Sequence, residues 1–169
     1  MNNKPKPDEY APYYNTYISL VGDENILDIL ENLKETTYSF FTGVDQNKAD
    51  YAYAEGKWTI KELLGHLIDA ERTFAYRILA FSRGQAELPG FDESAYIEKS
   101  TYNSRFFKDI VAEFRQVRES NLYLFRSLNA EQFMATGIAS GYKVSVRALL
   151  YITAGHELHH LNIIKERYL

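Results

Sequence analysis

Hydrophobic residues recur at helical spacing in four long segments of the chain, approximately residues 22–41, 59–82, 104–128 and 146–169. Apolar residues three and four positions apart share one face of an α-helix, so each segment is expected to form an amphipathic helix with one buried face. No segment alternates between apolar and polar residues over the length of a strand, and the chain has no internal repeat. The pattern therefore predicts an all-α protein, a four-helix bundle of the up-down type.

Local signals at the ends of these segments support the predicted helix boundaries. Thr59 is followed three residues later by Glu62, which is the spacing of a capping box, and Gly84 is a residue type that commonly ends a helix. Ser145 is placed to cap the fourth helix. The segment GQAELPGFDESAY has Pro-Gly punctuation and no period, so we expect a long connection after helix two that crosses the bundle. The glycines of GIASGYK predict a tight turn or small hairpin before the fourth helix.

Residues 1–20 do not follow the helical pattern. They contain three of the four Pro residues and several Tyr residues, a composition that suits an extended arm that lies on the domain or is partly disordered. We therefore divide the chain into an extended N-terminal arm, residues 1–20, and a four-helix bundle domain, residues 21–169. We expect no chemistry from the arm.

The composition argues against several classes of function. With 46% hydrophobic residues the chain can bury one substantial core, and its net charge of -4 gives no basic surface for a nucleic acid. No apolar run approaches the roughly 20 residues that cross a bilayer, and the first residues lack the apolar core of a signal peptide. Cys is absent, which excludes disulfides, zinc–thiolate sites and a cysteine nucleophile. We expect a cytoplasmic protein that binds neither nucleic acid nor membrane.

The histidines are the main candidates for chemistry. His66 lies in the second predicted helix, whereas His156, His159 and His160 lie in the sequence HELHH near the end of the fourth. His156 and His160 are four positions apart, so they share one helix face and can bind one metal ion together with a group from a neighbouring helix. His66 is the histidine available as that third ligand. His159 falls off this face and is left out of the site.

Two carboxylates are candidates for a catalytic role. HELHH matches the HExxH motif of zinc proteases, in which the Glu is the general base. A protease of that class needs a further ligand beyond the motif, and Glu166 is the only carboxylate downstream. We therefore reject a protease function but keep Glu157 as a base or as a support for a ligand. Asp69, the second candidate, lies three positions after His66 on roughly the same helix face and is either a supporting partner of a metal ligand or a plain surface acid.

Three stretches of the chain carry a resemblance to a known family: WTIKELLGHLIDAERTFAYRILAFSRG, LPGFDESAY and VSVRALLYITAGHELHHLNIIKERYL. They resemble successive motifs of the DinB-like superfamily of metal-dependent enzymes (damage-inducible, DinB/YfiT-type), and the resemblance extends from about Asn25 onward. In that family a histidine early in the second helix and an HxxxH pair in the last helix bind the metal, which implies that His66, His156 and His160 are the ligands here. The resemblance also implies a zinc or nickel ion, a homodimer, and relatives that use low-molecular-weight thiols in transferase or isomerase reactions.

These observations leave three functional hypotheses. The leading one is a divalent-metal-dependent enzyme in which His66, His156 and His160 bind the ion, a thiol or water occupies the open coordination position, and S-transferase-type chemistry acts on a small electrophile. The second is a non-catalytic metal-binding bundle with a stress-related or scaffold role, whose metal site would be closed by four ligands. The third is a metal-dependent hydrolase in which Glu157 or Asp69 deprotonates metal-bound water.

Overall fold

A bundle of four long helices dominates the computed structural model, which describes residues 4–169. The helices are α1 (Asn15–Ile18), α2 (Ile26–Thr42), α3 (Ile60–Ser82), α4 (Glu93–Glu98), α5 (Phe107–Arg126), α6 (Ala130–Met134) and α7 (Val146–Arg167). Short 3-10 turns lie at Pro7–Glu9, Pro12–Tyr14, Gln46–Lys48 and Tyr102–Ser104. The predicted four-helix bundle is confirmed, with α2, α3, α5 and α7 as its members. Among residues 4–169, no helix combines the length and the apolar character needed to span a bilayer.

The caps predicted for α3 and α7 are present. The backbone N–H of Glu62 donates to Thr59 Oγ1 at 3.1 Å, and the backbone N–H of Thr59 donates to the Glu62 carboxylate at 2.8 Å. This reciprocal pair is the predicted capping box. At α7 the backbone N–H of Ala148 donates to Ser145 Oγ at 2.9 Å, so Ser145 caps the last helix as expected.

The other two long helices begin later than the apolar pattern predicted. Asn25 caps α2 by accepting a hydrogen bond from the backbone N–H of Leu27 at 2.9 Å, so the helix begins at Ile26 rather than near residue 22. Phe106 has extended backbone angles, so α5 begins at Phe107 rather than near residue 104. At α2 the cap formed by Asn25 fixes the boundary more sharply than periodicity does, and at α5 the extended backbone of Phe106 sets it.

The direction of α5 differs from that of a simple up-down bundle. The side chain of Asn103, just before α5, donates to Glu62 in the first turn of α3 at 2.7 Å. Further along both helices, Arg118 Nε donates to Glu71 at 2.6 Å. The two contacts advance together along the chain, so α5 runs parallel to α3. The connection after α3, the second predicted helix, is long, as predicted. It contains α4 and runs back along α3, so that α5 begins at the same end of the bundle as α3.

A small sheet closes one end of the bundle. Its order is β1-β2-β3, with β1 parallel to β2 and β2 antiparallel to β3; the strands are Glu87–Leu88, Thr136–Ala139 and Tyr142–Ser145. The turn between β2 and β3 has φ of 55° at Ser140 and 80° at Gly141, which matches the two-residue turn favoured in hairpins. The hairpin predicted from GIASGYK is thus confirmed. Gly137 lets β2 lie on α3, because a Cβ there would be 2.2 Å from the ring of Phe81.

Residues 7–18 form mostly helical turns rather than the extended arm expected, and residues 1–3 of that predicted arm lie outside the described residues. Pro7 and Pro12 each occupy the first position of a 3-10 turn, and the second turn leads directly into α1. Proline is tolerated at the first helical position because its missing N–H would have no partner there. Two of the three prolines that suggested an extended chain therefore begin turns instead. The division of the chain at residue 20 into arm and domain remains a prediction.

This segment packs tightly on α7. A Cβ at Gly155 would lie 2.1 Å from the carbonyl oxygen of Tyr17, so a glycine is required for α1 to approach α7 this closely. Glu9 accepts hydrogen bonds from Ser145 Oγ at 2.7 Å and from Arg147 Nε at 3.1 Å. The segment is thus joined to the start of α7 by a partly buried ion pair as well as by backbone packing.

The core of the bundle consists of two apolar clusters with polar side chains between them. In α3, residues 60–68 belong to one cluster and residues 70–81 to the other. In α7 the order is reversed: residues 146–154 pack with residues 70–81, whereas residues 161–168, which extend just past the helix, pack with residues 60–68. This reversal shows that α3 and α7 are antiparallel. Six buried polar residues lie at the junction: Thr37, His66, Glu71, Arg118, His156 and Glu157. The candidate site is built at this level of the bundle.

Candidate metal centre

The structure brings together the three histidines that the sequence predicted as ligands. His66 projects from α3, and His156 and His160 project from one face of α7. The Nε2 atom of His156 lies 2.9 Å from that of His66 and 3.1 Å from that of His160. Each of the three residues has a potential ligand atom within 4.8 Å of the others. Three imidazole nitrogen atoms therefore converge on one point between two antiparallel helices.

Hydrogen bonding between the imidazoles does not account for this convergence. A ring nitrogen carries either one proton or one lone pair, so Nε2 of His156 can serve only one of its two neighbours. Nitrogen ligands at about 2.0–2.1 Å from a tetrahedral ion lie about 3.3 Å from one another. The observed separations of 2.9 and 3.1 Å are close to that spacing. The donor set therefore fits a divalent ion held by three histidines.

The electrostatic environment keeps the histidines neutral. Burial lowers the pKa of His66 to about 4, and burial together with repulsion from His66 and His159 lowers the pKa of His160 to about 3. The pKa of His156 is lowered well below its ordinary value, first by burial and then by the other three histidines. A neutral imidazole has the free lone pair that a metal ion needs. Near pH 7 all three residues are therefore in the form that binds metal.

Aromatic rings surround the cluster and restrict its side chains. The Trp58 ring lies 4.9 Å from that of His66, and the Tyr17 ring meets the edge of His156 at 5.3 Å. His159 is half-buried, with its ring 5.3 Å from Tyr17, and is not part of the converging set, as expected. Tyr17 was missed by the sequence analysis, which expected no chemistry from its segment. No spacing relates it to the histidines, and only the packing of α1 on α7 reveals it.

Glu157 is engaged away from the histidines. Its carboxylate accepts hydrogen bonds from Thr37 Oγ1 at 2.5 Å and from Arg118 Nη2 at 2.7 Å. Arg118 also binds Glu71 through Nε and Nη2, at 2.6 and 2.9 Å. Burial raises the pKa of Glu157, and Arg118 and Thr37 oppose that shift. The structure places Glu157 in an ion-pair network directly behind His156, and Arg118 and Glu71 are members of it that the sequence did not indicate.

Asp69 is also bound to other side chains. It accepts a hydrogen bond from the Tyr102 hydroxyl at 2.9 Å and lies 4.0 Å from the guanidinium of Arg72. Burial raises its pKa, and these two neighbours oppose the shift. Its carboxylate does not join the three histidines. The structure thus assembles the predicted ligands and brings neither candidate catalytic carboxylate to them, so the catalytic roles of Glu157 and Asp69 remain predictions.

Two pockets open beside the cluster. The first, named here the tyrosine pocket, has a volume of about 270 Å³ and is lined by Tyr13, Tyr14, Tyr17, Ala70, Phe74, Arg77, Phe91, Glu93, Ser140 and His156. The second, also of about 270 Å³, is lined by residues that include Trp58, Ser94, His160 and Tyr168. Glu93 and Ser94 are consecutive and belong to different pockets, so the start of α4 separates the two openings. A small molecule in either pocket would contact one of the three converging histidines.

Comparisons with known proteins agree with this architecture. The sequence model of the DinB superfamily matches residues 29–164. No curated protein matches the chain. Among solved structures, the fold is similar to YfiT from Bacillus subtilis, which is described as a probable metal-dependent hydrolase with an unusual four-helix bundle topology. The two chains are 18% identical, with a TM-score of 0.69, and the comparison covers 98% of this chain and 91% of YfiT. It is also similar to a DinB-like protein from Bacillus subtilis, YjoA, with 20% identity and a TM-score of 0.61 over 85% of this chain and 88% of that one.

Proposed function

The chain belongs to the DinB superfamily, and on that premise we propose that it is a metal-dependent enzyme in which His66, His156 and His160 bind one divalent ion. The convergence of the three Nε2 atoms is the observation that carries the proposal. Structural zinc sites are closed by four protein ligands, whereas catalytic sites have three and an open position. In residues 4–169 no fourth His, Asp or Glu joins the cluster, which favours an enzyme over a scaffold. Zinc and nickel are the ions we expect, since neutral imidazoles suit both.

We infer that the reaction is of the S-transferase type, with a low-molecular-weight thiol and a small electrophile as reactants. An ion in this site would lower the pKa of a thiol or of water bound to it. A thiol has an ordinary pKa of about 8.5, far below the value of about 15.7 for bulk water, so it needs no additional base. Glu157 and Asp69 are both bound to other side chains. Because neither carboxylate predicted as a base is free beside the histidines, the site suits the nucleophile that is easier to deprotonate.

The surrounding residues orient the ligands and limit access to them. Trp58 packs on His66, and Tyr17 packs on His156, so neither imidazole can rotate freely. The network of Arg118 and Glu157 fixes α7 against α5 at the level of the ligands. The reactants approach through the two pockets on either side of α4. The homodimer implied by the family resemblance is part of the same proposal, and sedimentation equilibrium measures it.

A metal-dependent hydrolase is the second candidate function. YfiT, whose fold is similar, is described as a probable hydrolase of this kind. Water would then take the place of the thiol and would need a general base. Glu93 lines the tyrosine pocket together with His156, and its pKa is raised by burial and then by Asp92, which suits a group that exchanges protons.

Metal content tests the ligand assignment. Protein purified without a histidine tag is expected to contain close to one zinc or nickel ion per chain by elemental analysis. His66→Ala, His156→Ala and His160→Ala should each lose the ion, because two imidazoles hold a divalent ion much less tightly than three. His159→Ala is the matched control and should retain it. Absence of metal from the wild type, or its retention in all three ligand variants, would contradict the proposal.

Activity assays separate the candidate reactions. The metal-loaded protein is incubated with cysteine or glutathione and 1-chloro-2,4-dinitrobenzene, and separately with 4-nitrophenyl acetate without a thiol. Thiol adduct formation above that of His160→Ala supports the transferase, and ester hydrolysis in the absence of thiol supports the hydrolase. If the metal is retained and neither rate exceeds that of His160→Ala, then the non-catalytic scaffold is favoured.

A further inference from the structure

A buried arginine without a counter-ion lies in the tyrosine pocket. Arg77, in α3, is 2% exposed. Its Nη2 atom donates to the carbonyl oxygen of Pro89 at 3.3 Å and to Ser140 Oγ at 3.2 Å, and both acceptors are neutral. These are the hydrogen bonds that Arg77 makes within residues 4–169. Burial of a charged group without a paired charge is unfavourable, so this arrangement requires an explanation.

The other buried arginine of the bundle is paired. Arg118 binds the carboxylates of Glu71 and Glu157, and the partly buried Arg147 likewise binds Glu9. Arg77 differs from Arg118 although both are buried. The contacts to Pro89 and Ser140 use only Nη2, so Nε and Nη1 are not engaged by the described residues. A guanidinium with free N–H groups at the wall of a pocket is a strong donor for a carboxylate.

The rest of the pocket limits what can bind there. Its volume of about 270 Å³ is just below the range of about 300–1,000 Å³ typical of ligand pockets, so the molecule must be small. Tyrosine and phenylalanine rings form much of the wall and suit a flat, apolar body. Glu93 is the carboxylate in the wall, so a second negative charge on the ligand would be repelled. The pocket therefore suits a molecule with one anionic group at one end.

We propose that Arg77 binds the carboxylate of a reactant in this pocket, a small, flat, singly charged acid whose opposite end faces the histidine cluster. The pocket contains both Arg77 and His156, so a bound molecule spans the distance between the charge that holds it and the ligands of the ion. This inference rests on the proposed function, because it specifies the chemical class of a reactant at the same site. The carboxylate can belong to the electrophile or to the thiol.

Calorimetric titration with benzoate tests the role of Arg77, with benzamide as the neutral analogue. The full-length protein is titrated both metal-loaded and after removal of metal by a chelator. We expect benzoate to bind both forms and benzamide to bind at least about tenfold more weakly, because a charge-assisted hydrogen bond is lost. Arg77→Met should weaken benzoate binding by at least about tenfold. Arg72→Met is the matched control on the same helix, since Arg72 pairs with Glu113, and should bind benzoate as the wild type does.

Several outcomes would overturn the inference: no benzoate binding to the wild type, equal binding by Arg77→Met, or binding to the metal-loaded form only. Glu93→Gln provides a second test if Arg77→Met fails to fold. Removal of the negative charge should strengthen benzoate binding by at least about twofold and leave benzamide unchanged; an equal effect on both would contradict the proposal. Failure of the proposed function can be distinguished from failure of this inference. If only the proposed function fails, then His160→Ala retains metal, but benzoate binding to the metal-free protein still depends on Arg77.

A matched pair of reactants identifies the source of the carboxylate. If the electrophile carries it, then Arg77→Met raises KM at least about tenfold for 4-chloro-3-nitrobenzoate and leaves KM unchanged for 1-chloro-2,4-dinitrobenzene. If the thiol carries it, then Arg77→Met raises KM for cysteine and leaves KM unchanged for cysteamine, which lacks the carboxylate. An Arg77→Met variant with unchanged KM in both pairs would contradict the proposal.

Discussion

Arg118 is the largest side chain that is fully buried in the described part of the chain. Its guanidinium donates to Glu71, to Glu157 and to the carbonyl oxygen of Leu30 at 3.1 Å. Folding removes the charges of Arg118, Glu71 and Glu157 from water, which is unfavourable, and the attraction between these charges only offsets that cost of desolvation. The network therefore contributes little net stability, yet the loss of one member is expected to be severe.

Arg118→Met should destabilise the protein by about 3–5 kcal/mol, because it leaves the carboxylates of Glu71 and Glu157 buried without a cation. Urea denaturation followed by circular dichroism measures the free energy of unfolding. Arg115→Met is the matched control on the same helix, since Arg115 pairs with Glu35 at the surface, and it should change stability far less. Equal losses in the two variants would show that the buried network has no special role.

At the residue scale the sequence predicted the three histidines that converge but not the residues that support them. The spacing of His156 and His160 is a local feature of one helix, and the family resemblance supplied His66. Glu157 was predicted to take part in catalysis because it occupies the Glu position of the short HExxH motif. The sequence could not show that its partner is Arg118, which lies in another helix. The pairing of Arg118 with Glu71 depends on how α5 packs against α3, which periodicity does not specify.

At the scale of elements, the contact between α1 and α7 depends on one glycine. An alanine at Gly155 gains about 1 kcal/mol in helix propensity, but its Cβ would lie 2.1 Å from the Tyr17 carbonyl oxygen. A backbone atom cannot rotate away, so overpacking at a cost of about 1–3 kcal/mol should exceed the gain. We expect Gly155→Ala to lower the free energy of unfolding and to speed proteolysis near Tyr17. Gly43→Ala is the control, because a Cβ at Gly43 would lie 3.4 Å or more from its neighbours. It should neither lower the free energy of unfolding nor speed proteolysis near Tyr17.

The ion pair that joins the N-terminal segment to α7 should make stability depend on pH. Burial alone would raise the pKa of Glu9, but hydrogen bonds from Arg147, Lys6 and Ser145 lower it below the ordinary value of 4.5. A pKa lowered in the folded state gives stability that is present above the ordinary value and is lost as the pH falls through the folded-state pKa. The difference in free energy of unfolding between wild type and Glu9→Gln should therefore be constant above about pH 6 and shrink below pH 4.5.

Arg147→Met tests whether this pH dependence comes from the pair. In that background the effect of Glu9→Gln on the free energy of unfolding should depend less on pH, because the largest interaction that lowers the pKa of Glu9 is removed. An unchanged pH dependence without Arg147 would contradict its assignment to the pair.

Elements whose limits are set by local hydrogen bonds were predictable. Thr59 and Glu62 lie three residues apart, and so do Ser145 and Ala148, so the starts of α3 and α7 could be identified directly from the sequence. The direction of α5 could not be predicted from the sequence. It depends on the return of the chain along α3, through contacts such as that of Asn103 with Glu62. The turns at Pro7 and Pro12 depend likewise on packing against α7.

On the scale of the whole molecule, the candidate metal centre joins the two antiparallel helices at the junction of the apolar clusters. His66 comes from α3 and the other ligands from α7, so a bound ion links elements that are otherwise separated there by polar side chains. Any ligand that binds the folded state alone stabilises it, by an amount that grows with the logarithm of the free ligand concentration above the dissociation constant. Metal should therefore stabilise the entire bundle and not only the site.

Addition of zinc or nickel to metal-free protein at about 100 times its dissociation constant should stabilise it by about 2.7 kcal/mol. For a domain of this size that corresponds to a rise in Tm of about 5–10 °C, measurable by calorimetry. His160→Ala should show almost no rise, whereas His159→Ala should respond as the wild type does, because His159 lies outside the converging set. An equal rise in His160→Ala would mean that the stabilising ion binds elsewhere, and the link between α3 and α7 would have to be abandoned even if the protein contained metal.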